Sequence, residues 1–272
     1  MSSPAFFAAY ARLLVSHEML HELHDEPERL RVAHGLTPAE LTLLRSATPA
    51  NVHLTQGMVR AKRHVALELM LPRTMALLAG FDRYALVGSY VDDVLPRDDV
   101  DLTRAVTQGH DFVRWLTAHA GRIPAGLSDL ARFELLVADL AGDHVAAIVA
   151  RRRAAAGPVT LTAASRPVLT ADCRAETYGI DVLALSGEVT LAELAAAGRS
   201  PAGVLVRKVW ERPKPLLFRV GPAVVAMLSC CDGTRTVEAV LDRVGDTPEL
   251  RARAFDALRG LAEMTVLSTA EG

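Results

Sequence analysis

The sequence has little of what cross-linked or membrane-spanning proteins require. Its 272 residues include three cysteines, Cys173, Cys230 and Cys231, and none of them forms a C-x-x-C pair. Neither a disulfide framework nor a cysteine metal knuckle is therefore indicated. No stretch is apolar for long enough to predict a bilayer span, and no basic segment precedes the apolar N-terminal residues, so no signal peptide is predicted. We expect a cytoplasmic protein.

Signatures of common enzyme classes are also missing. The sequence contains no G-x-S-x-G nucleophile elbow, no Walker A loop and no G-x-G-x-x-G dinucleotide fingerprint. The formal net charge is only −2, which gives no general attraction to nucleic acid or to an anionic membrane. Motif and charge together favour a binding protein over an enzyme of these classes.

The composition is that of a folded protein with room for two domains. Half of the residues are hydrophobic and 23% are charged, which is typical of globular chains. A chain of this length holds one large domain or two ordinary ones. The apolar pattern changes at the Ala-Ala-Ala-Gly-Pro stretch that ends at Pro158. We therefore predict two domains, residues 1–154 and residues 155–272.

The first half repeats its apolar residues at helical spacing and predicts an all-helical domain. Thr37, Pro38 and Glu40 have the pattern of a capping box with proline at the first helical position. Pro72 interrupts a long apolar pattern and should kink or restart that helix. The predicted helices, besides the one that Thr37 opens, cover residues 4–25, 54–71, 74–79, 83–94, 103–119 and 127–153.

The second half begins with short strand-like segments and ends in helices. Apolar or β-branched segments bounded by Pro or Gly predict strands at 159–162, 180–185, 203–210 and 215–220. Helices follow, one capped by Thr234 or Thr236 and the last running from Thr247 through Met264, before a short closing strand. The expected fold class is α+β: an N-terminal all-helical domain, then a small α/β, winged-helix-like domain with short strands followed by three helices.

The segment His17-Glu18-Met19-Leu20-His21 matches the H-E-x-x-H pattern of zinc peptidases. There, two imidazoles one helical turn apart bind zinc and the glutamate acts as general base. A third ligand is required, and His24 on the same short helix cannot readily complete a tetrahedral site. A zinc metallopeptidase is the alternative function. We favour the interpretation in which His17, His21 and His24 pack at a domain or subunit surface, with no metal or other cofactor.

A second alternative is a winged-helix DNA-binding regulator. The last two predicted helices could form a helix–turn–helix, and they carry several arginines. Those arginines are interleaved with acidic residues, whereas a phosphate-tracking surface shows an excess of positive charge. The charge pattern therefore favours a peptide groove over a DNA-binding surface.

In the C-terminal segment, an apolar strand over Pro215–Val220 precedes GPAVVAMLSCCDGTRTVEAVLDRV and then ALRGLAEMTVLS. This order resembles the peptide-recognition winged-helix modules of ribosomal peptide biosynthesis. Those modules have an apolar helix, a D-G-x-x-T turn, a second amphipathic helix, and a third helix before a short strand. The resemblance covers residues 215–268.

The helical half contains, in this order, GLTPAELTLLRS, LMLPRTMALLAG, HDFVRWL and LSDLARFELLVADL, and YGIDV and LVR follow. This order resembles the partner subunits of multinuclear iron-dependent oxidases, a group that includes the methanobactin-synthesis partner protein. The H-E-x-x-H segment is not part of that pattern. This resemblance implies a non-catalytic subunit of a hetero-oligomer, whose separate iron oxidase carries the chemistry.

The resemblance also implies that this chain binds the leader segment of a precursor peptide. An edge strand can accept an added peptide strand, and an adjacent amphipathic helix supplies side-chain pockets. The corresponding positions, which we predict to contact the peptide, are Leu216, Leu217, Phe218, Arg219 and Val220 on the strand and Phe255, Leu258 and Arg259 on the last helix.

Overall fold

The fold is α+β and divides into two compact units, Met1–His119 and Ala120–Gly272. The computed structural model describes residues 3–14, 16–47, 49–79, 83–94, 105–185, 187–197 and 200–270. Within helices, it does not describe the side chains of residues 17, 49, 83–85, 92 and 94. Among the described residues, none of the helices combines the length and the apolar run needed to cross a bilayer.

The first unit consists of helices. They are α1 (Pro4–Leu13), α2 (His17–Asp25), α3 (Pro27–Ala33), α4 (Pro38–Ser46), α5 (Pro49–Met70), α6 (Pro72–Ala79), α7 (Arg83–Val94) and α8 (Ala105–Ala118). Pro72 begins α6, so the predicted restart is confirmed. The helix predicted over residues 4–25 is instead two helices, because the Ser16 hydroxyl accepts a hydrogen bond from the Met19 amide and starts α2.

The second unit combines helices with two small antiparallel sheets. Its elements are α9 (Leu127–Gly142), α10 (His144–Ala156), β1 (Pro167–Leu169), β2 (Cys173–Tyr178), α11 (Leu191–Ala196), β3 (Ala202–Arg207), β4 (Leu216–Val220), α12 (Pro222–Leu228), α13 (Val237–Val244), α14 (Pro248–Glu263) and β5 (Leu267–Thr269). A 3₁₀ turn at Ala120–Arg122 precedes them. One sheet pairs β1 with β5, and the other has the order β2-β3-β4.

Two of the predicted strands do not form. Residues 159–162 end in a turn, where the Ser165 hydroxyl accepts a hydrogen bond from the Thr162 amide. Residues 180–185 fold into consecutive turns, with the Val182 amide bonded to the Ile180 carbonyl and the Ala184 amide to the Asp181 carbonyl. Both predictions were wrong because short apolar segments also occur in loops that bury single side chains, as Leu161 and Val182 are buried here.

Helices pack on both faces of the three-stranded sheet. On one face, Cys173 and Leu205 lie in a core that α12, α13 and α14 complete with Leu228, Leu241 and Leu261. On the other face, α9 packs on β2 and β3. There the Arg132 guanidinium donates to Glu176 at 2.9 Å and lies 5.2 Å from the Tyr178 ring.

Close packing between β3 and α12 requires glycine at position 203. A Cβ there would lie 2.7 Å from the Val225 side chain and 2.8 Å from the Val220 carbonyl oxygen. Such a contact is too short for any side chain, so only glycine lets the chain after β4 turn directly into α12 over the sheet.

The division into units differs from the predicted boundary near residue 154. A buried ion pair explains why α10 belongs to the second unit. Asp172 is fully buried and its carboxylate lies 3.5 Å from the Arg153 guanidinium. Arg153 also donates to the Thr265 carbonyl at the turn after α14. Since an unpaired charge is costly to bury, this pair fastens α10 to the sheet and the C-terminal turn.

The capping box of α4 also anchors the N-terminus. The Glu40 carboxylate accepts hydrogen bonds from the Thr37 amide at 2.9 Å and from the Ser3 amide at 2.8 Å. These backbone hydrogen bonds lower the pKa of Glu40 from 4.5 to about 2. The predicted capping box is confirmed, and the bond to Ser3 adds a contact between α4 and the residue that precedes α1.

The lowered pKa of Glu40 predicts a pH-dependent stability. The ionised carboxylate stabilises the fold fully above pH 4.5, and the contribution is lost as pH falls from 4.5 towards about 2. We expect Glu40→Gln to lower the free energy of unfolding at pH 7, with the deficit shrinking below pH 4.5. Urea unfolding followed by circular dichroism across this range measures it. Glu263→Gln, at an exposed position on α14, is the control. If the deficit for Glu40→Gln is the same at every pH, the ionised Glu40 carboxylate does not stabilise the fold.

Candidate functional site

The outer edge of β4 offers backbone hydrogen-bonding groups to another chain. Within the described residues β4 pairs only with β3, in the register Gly203↔Val220 through Arg207↔Leu216. In an antiparallel pair, alternate residues direct their N–H and C=O groups away from the partner strand. An edge of five residues is long enough to accept a short added strand.

The opposite edge of the same sheet is less open. The Arg174 guanidinium on β2 donates to the carbonyls of Ala171 and Cys173, at 2.8 and 2.9 Å. A charged side chain folded over its own strand is a common way to protect an edge from pairing. Of the two edges, β4 is therefore the better acceptor for a peptide.

Side chains on β4 divide between its two faces. Phe218 and Val220 pack against the core under α12–α14, and both are half-buried. Leu217 points to the opposite face with 42% of its surface exposed. Arg219 is exposed and holds the Asp181 carboxylate at 2.6 Å. A peptide at this edge would meet Leu217 and Arg219 on one side and the rims of Phe218 and Val220 on the other.

The residues predicted on the last helix do not all face solvent. Phe255 is half-buried and packs against the same core as Phe218. Arg259 is exposed, with the Asp256 carboxylate 3.2 Å away. Leu258 has no exposed surface and lies in the middle of the core. The prediction that Leu258 lines a groove is wrong, because its buried side chain cannot contact a peptide, and Leu258→Asp would unfold the unit.

Two buried cysteines of the second unit, Cys173 and Cys231, are poor nucleophiles. Burial raises the pKa of the Cys173 thiol to about 11 and that of Cys231 to about 12. A thiol must ionise to attack, so both side chains remain protonated at neutral pH and serve as small core residues.

Two histidines of α2, His21 and His24, lie away from the core that this helix helps to form. Met19, Leu20 and Leu23 are buried, whereas His21 and His24 are exposed. The His17 side chain, also part of the H-E-x-x-H pattern, lies outside the described residues. Over the part of the chain that is described, no three His, Cys, Asp or Glu side chains come together as metal ligands.

Three arginines of the C-terminal segment, which carries five arginines and seven acidic residues between Gly221 and Ala270, pair with neighbouring acids. Arg235 lies 2.6 Å from Asp232, and Arg251 lies 2.7 Å from Asp242. Arg259 lies 3.2 Å from Asp256. Such local pairing leaves no excess of positive charge to follow a phosphate backbone, which disfavours the DNA-binding alternative.

Sequence reasoning missed an exposed aromatic residue beside β4. Trp210, in the hairpin between β3 and β4, is 51% exposed, and the Arg151 guanidinium lies 5.2 Å from its ring centroid. The signal was present in the sequence as a tryptophan among Lys208, Arg212 and Lys214. The proximity of Arg151 could not be predicted, because it depends on how α10 packs.

Comparison with protein-family models found no matching family, and comparison with curated proteins found no match. The assignment of function therefore rests on the residues and their geometry.

The exposed positions of His21 and His24 lead to a prediction about zinc. We expect the purified chain to retain no stoichiometric zinc after dialysis, because two exposed imidazoles on one short helix do not enclose a tetrahedral ion. Elemental analysis of the wild type measures this, with a His17→Ala/His21→Ala variant as the control. One zinc per chain that the variant loses, together with peptidase activity, would establish the zinc peptidase instead.

Proposed function

We propose that this chain is a non-catalytic partner protein that binds the leader segment of a ribosomal precursor peptide and presents it to a separate iron-dependent oxidase. The observation that carries the proposal is the open outer edge of β4. In this proposal, the three strands followed by α12, α13 and α14 form a winged-helix-like peptide-recognition module. The resemblance of residues 215–268 to such modules supports this interpretation.

Strand addition at β4 supplies both affinity and selectivity. Backbone hydrogen bonds to the edge bind almost any extended peptide, whereas side-chain contacts choose among peptides. Leu217 contributes an exposed apolar contact, and the half-buried Phe218 and Phe255 border the same core. Arg219 is held by Asp181, so its side chain is already ordered before a peptide binds.

Binding of the oxidase is assigned to the helical unit. Along α5, Leu54, Met58, Val65 and Leu69 recur at spacings of four and seven residues, which places them on one helix face. Each of these side chains is between 53% and 75% exposed. An apolar stripe of this kind is typical of a helix that packs against another protein. Here the proposed occupant is the oxidase subunit.

The peptide-binding proposal is tested at Leu217. We expect Leu217→Asp to weaken binding about tenfold, since it loses a buried apolar contact worth about 1.4 kcal/mol. Leu250→Asp is the matched control, because Leu250 is 48% exposed in the same unit. Fluorescence anisotropy measures both with labelled peptides selected from a displayed random library.

Circular dichroism accompanies each affinity measurement, so that unfolding is not mistaken for lost contacts. A folded Phe218→Pro variant, which removes a backbone donor and restricts the strand, should also bind weakly. If folded Leu217→Asp and Phe218→Pro variants both bind at full strength, the peptide does not add to β4.

The oxidase-binding proposal is tested at Leu69. On co-expression with an iron-dependent oxidase from a neighbouring gene, the wild-type chain should co-elute with it in size-exclusion chromatography. Leu69→Glu should abolish co-elution, because it places a charge in an apolar interface. Val32→Glu is the control on α3, where Val32 is 71% exposed. Separate elution of wild-type chain and oxidase, each folded, would contradict this part of the proposal.

A further inference from the structure

The hairpin between β3 and β4 carries an excess of positive charge. Its exposed residues include Trp210, Arg212 and Lys214, with Glu211 as the exposed carboxylate between them. Lys208 begins the hairpin, and its ammonium donates to the Ala141 carbonyl near the end of α9. The hairpin is therefore held against the end of α9.

Helix α10 extends this surface. Val145 and Ile148 are exposed one helical turn apart, and Arg151 and Arg152 are exposed one turn further along the same helix. Arg151 lies against the Trp210 ring, at 5.2 Å from its centroid. The contact joins α10 to the hairpin and orders an aromatic side chain that would otherwise be free to rotate.

Acidic residues near this surface already have partners. The Asp143 carboxylate caps α10 by accepting from the Val145 and Ala146 amides, and it lies 3.6 Å from the Arg174 guanidinium. In the hairpin and the exposed end of α10, Glu211 is one exposed carboxylate against the four exposed cations Arg151, Arg152, Arg212 and Lys214, so positive charge is in excess. We name Arg151, Arg152, Trp210, Arg212 and Lys214 the basic surface.

The hairpin part of the basic surface leads directly into β4, which begins at Leu216, two residues after Lys214. At about 3.3 Å per residue, a peptide that pairs along β4 and continues past Leu216 comes level with the hairpin within its next few residues. Such a peptide would meet the hairpin cations first, and Arg151 adds to them through its contact with Trp210.

We infer that the peptide taken by this chain has an acidic segment next to its apolar strand segment, and that the basic surface binds the acidic segment. This inference rests on the proposed function, which it narrows to a class of peptide. Tryptophan and arginine are the side chains most enriched at binding hot spots. The positive charges of the basic surface would favour acidic peptides over others and speed their association, and added salt would screen both effects.

A displayed library of random 16-residue peptides tests the inference on the full chain. Peptides that bind should be enriched in Asp and Glu on one side of an alternating apolar segment. Their affinity should fall about tenfold between low salt and 0.5 M salt, where screening extends over only a few ångströms.

Two charge variants locate the effect. Arg151→Ala/Arg152→Ala should weaken the selected acidic peptides about tenfold at low salt and much less at 0.5 M salt. Arg243→Ala/Arg253→Ala removes the same charge from exposed positions on α13 and α14 and should leave affinity within about twofold. Trp210→Ala should weaken binding at both salt concentrations, because its contact is not ionic.

The outcomes separate this inference from the proposed function. The inference would be overturned, and peptide binding left intact, if the peptides that bind at β4 show no enrichment in Asp and Glu. The same holds if Arg151→Ala/Arg152→Ala and Arg243→Ala/Arg253→Ala weaken their binding equally. A library that yields no binding peptide would contradict both.

Discussion

The second unit depends on a three-stranded sheet with helices on both faces. Helices α12–α14 cover one face and α9 packs on β2 and β3 of the other, so the exposed parts of the sheet are its edges and the outer face of β4 around Leu217. Backbone N–H and C=O groups at an edge are strong hydrogen-bonding groups that remain hydrated until another strand replaces the water. Because Arg174 already donates to the Cys173 carbonyl of β2 and to the Ala171 carbonyl just before it, β4 is the more open of the two edges.

The same packing decides which side chains can contribute to recognition. A residue in the core, such as Leu258, holds α14 in place and cannot touch a ligand. Leu217 and Trp210 are exposed close to the edge, and neighbouring elements determine their positions. Because these few exposed side chains are held rigidly, less conformational entropy is lost when a peptide binds. A small binding surface depends on this saving.

Local signals account for most of what the sequence predicted correctly. The Thr37 capping box, the restart at Pro72, and the helix starts at Thr236 and Thr247 depend on residues within one helical turn, so they can be identified without tertiary information. The break at Asp143 was missed because it lies within an unbroken helical pattern, where a single capping side chain decides the outcome. Strand β2 was also missed, since most of Cys-Arg-Ala-Glu-Thr-Tyr is polar or small and the segment becomes a strand by pairing with β3.

The site was predictable in part for the same reason. The strand over 216–220 is predicted from its apolar residues, and the structure confirms it. A stripe of apolar residues on a helix, however, can line either a groove or a core. The sequence therefore predicted Leu258 in a groove, whereas it lies in the core. The contact between Arg151 and Trp210 joins residues far apart in the chain, so it required the fold.

Amide hydrogen exchange of β4 tests the central claim most directly. In the free chain, alternate amides of residues 216–220 face the open edge and should exchange quickly. When a bound peptide adds as a strand, those amides should become protected, while the amides that already bond to β3 change little. Exchange measured by NMR with and without a bound peptide should show this alternating pattern. Protection elsewhere in the second unit, with β4 unchanged, would contradict strand addition.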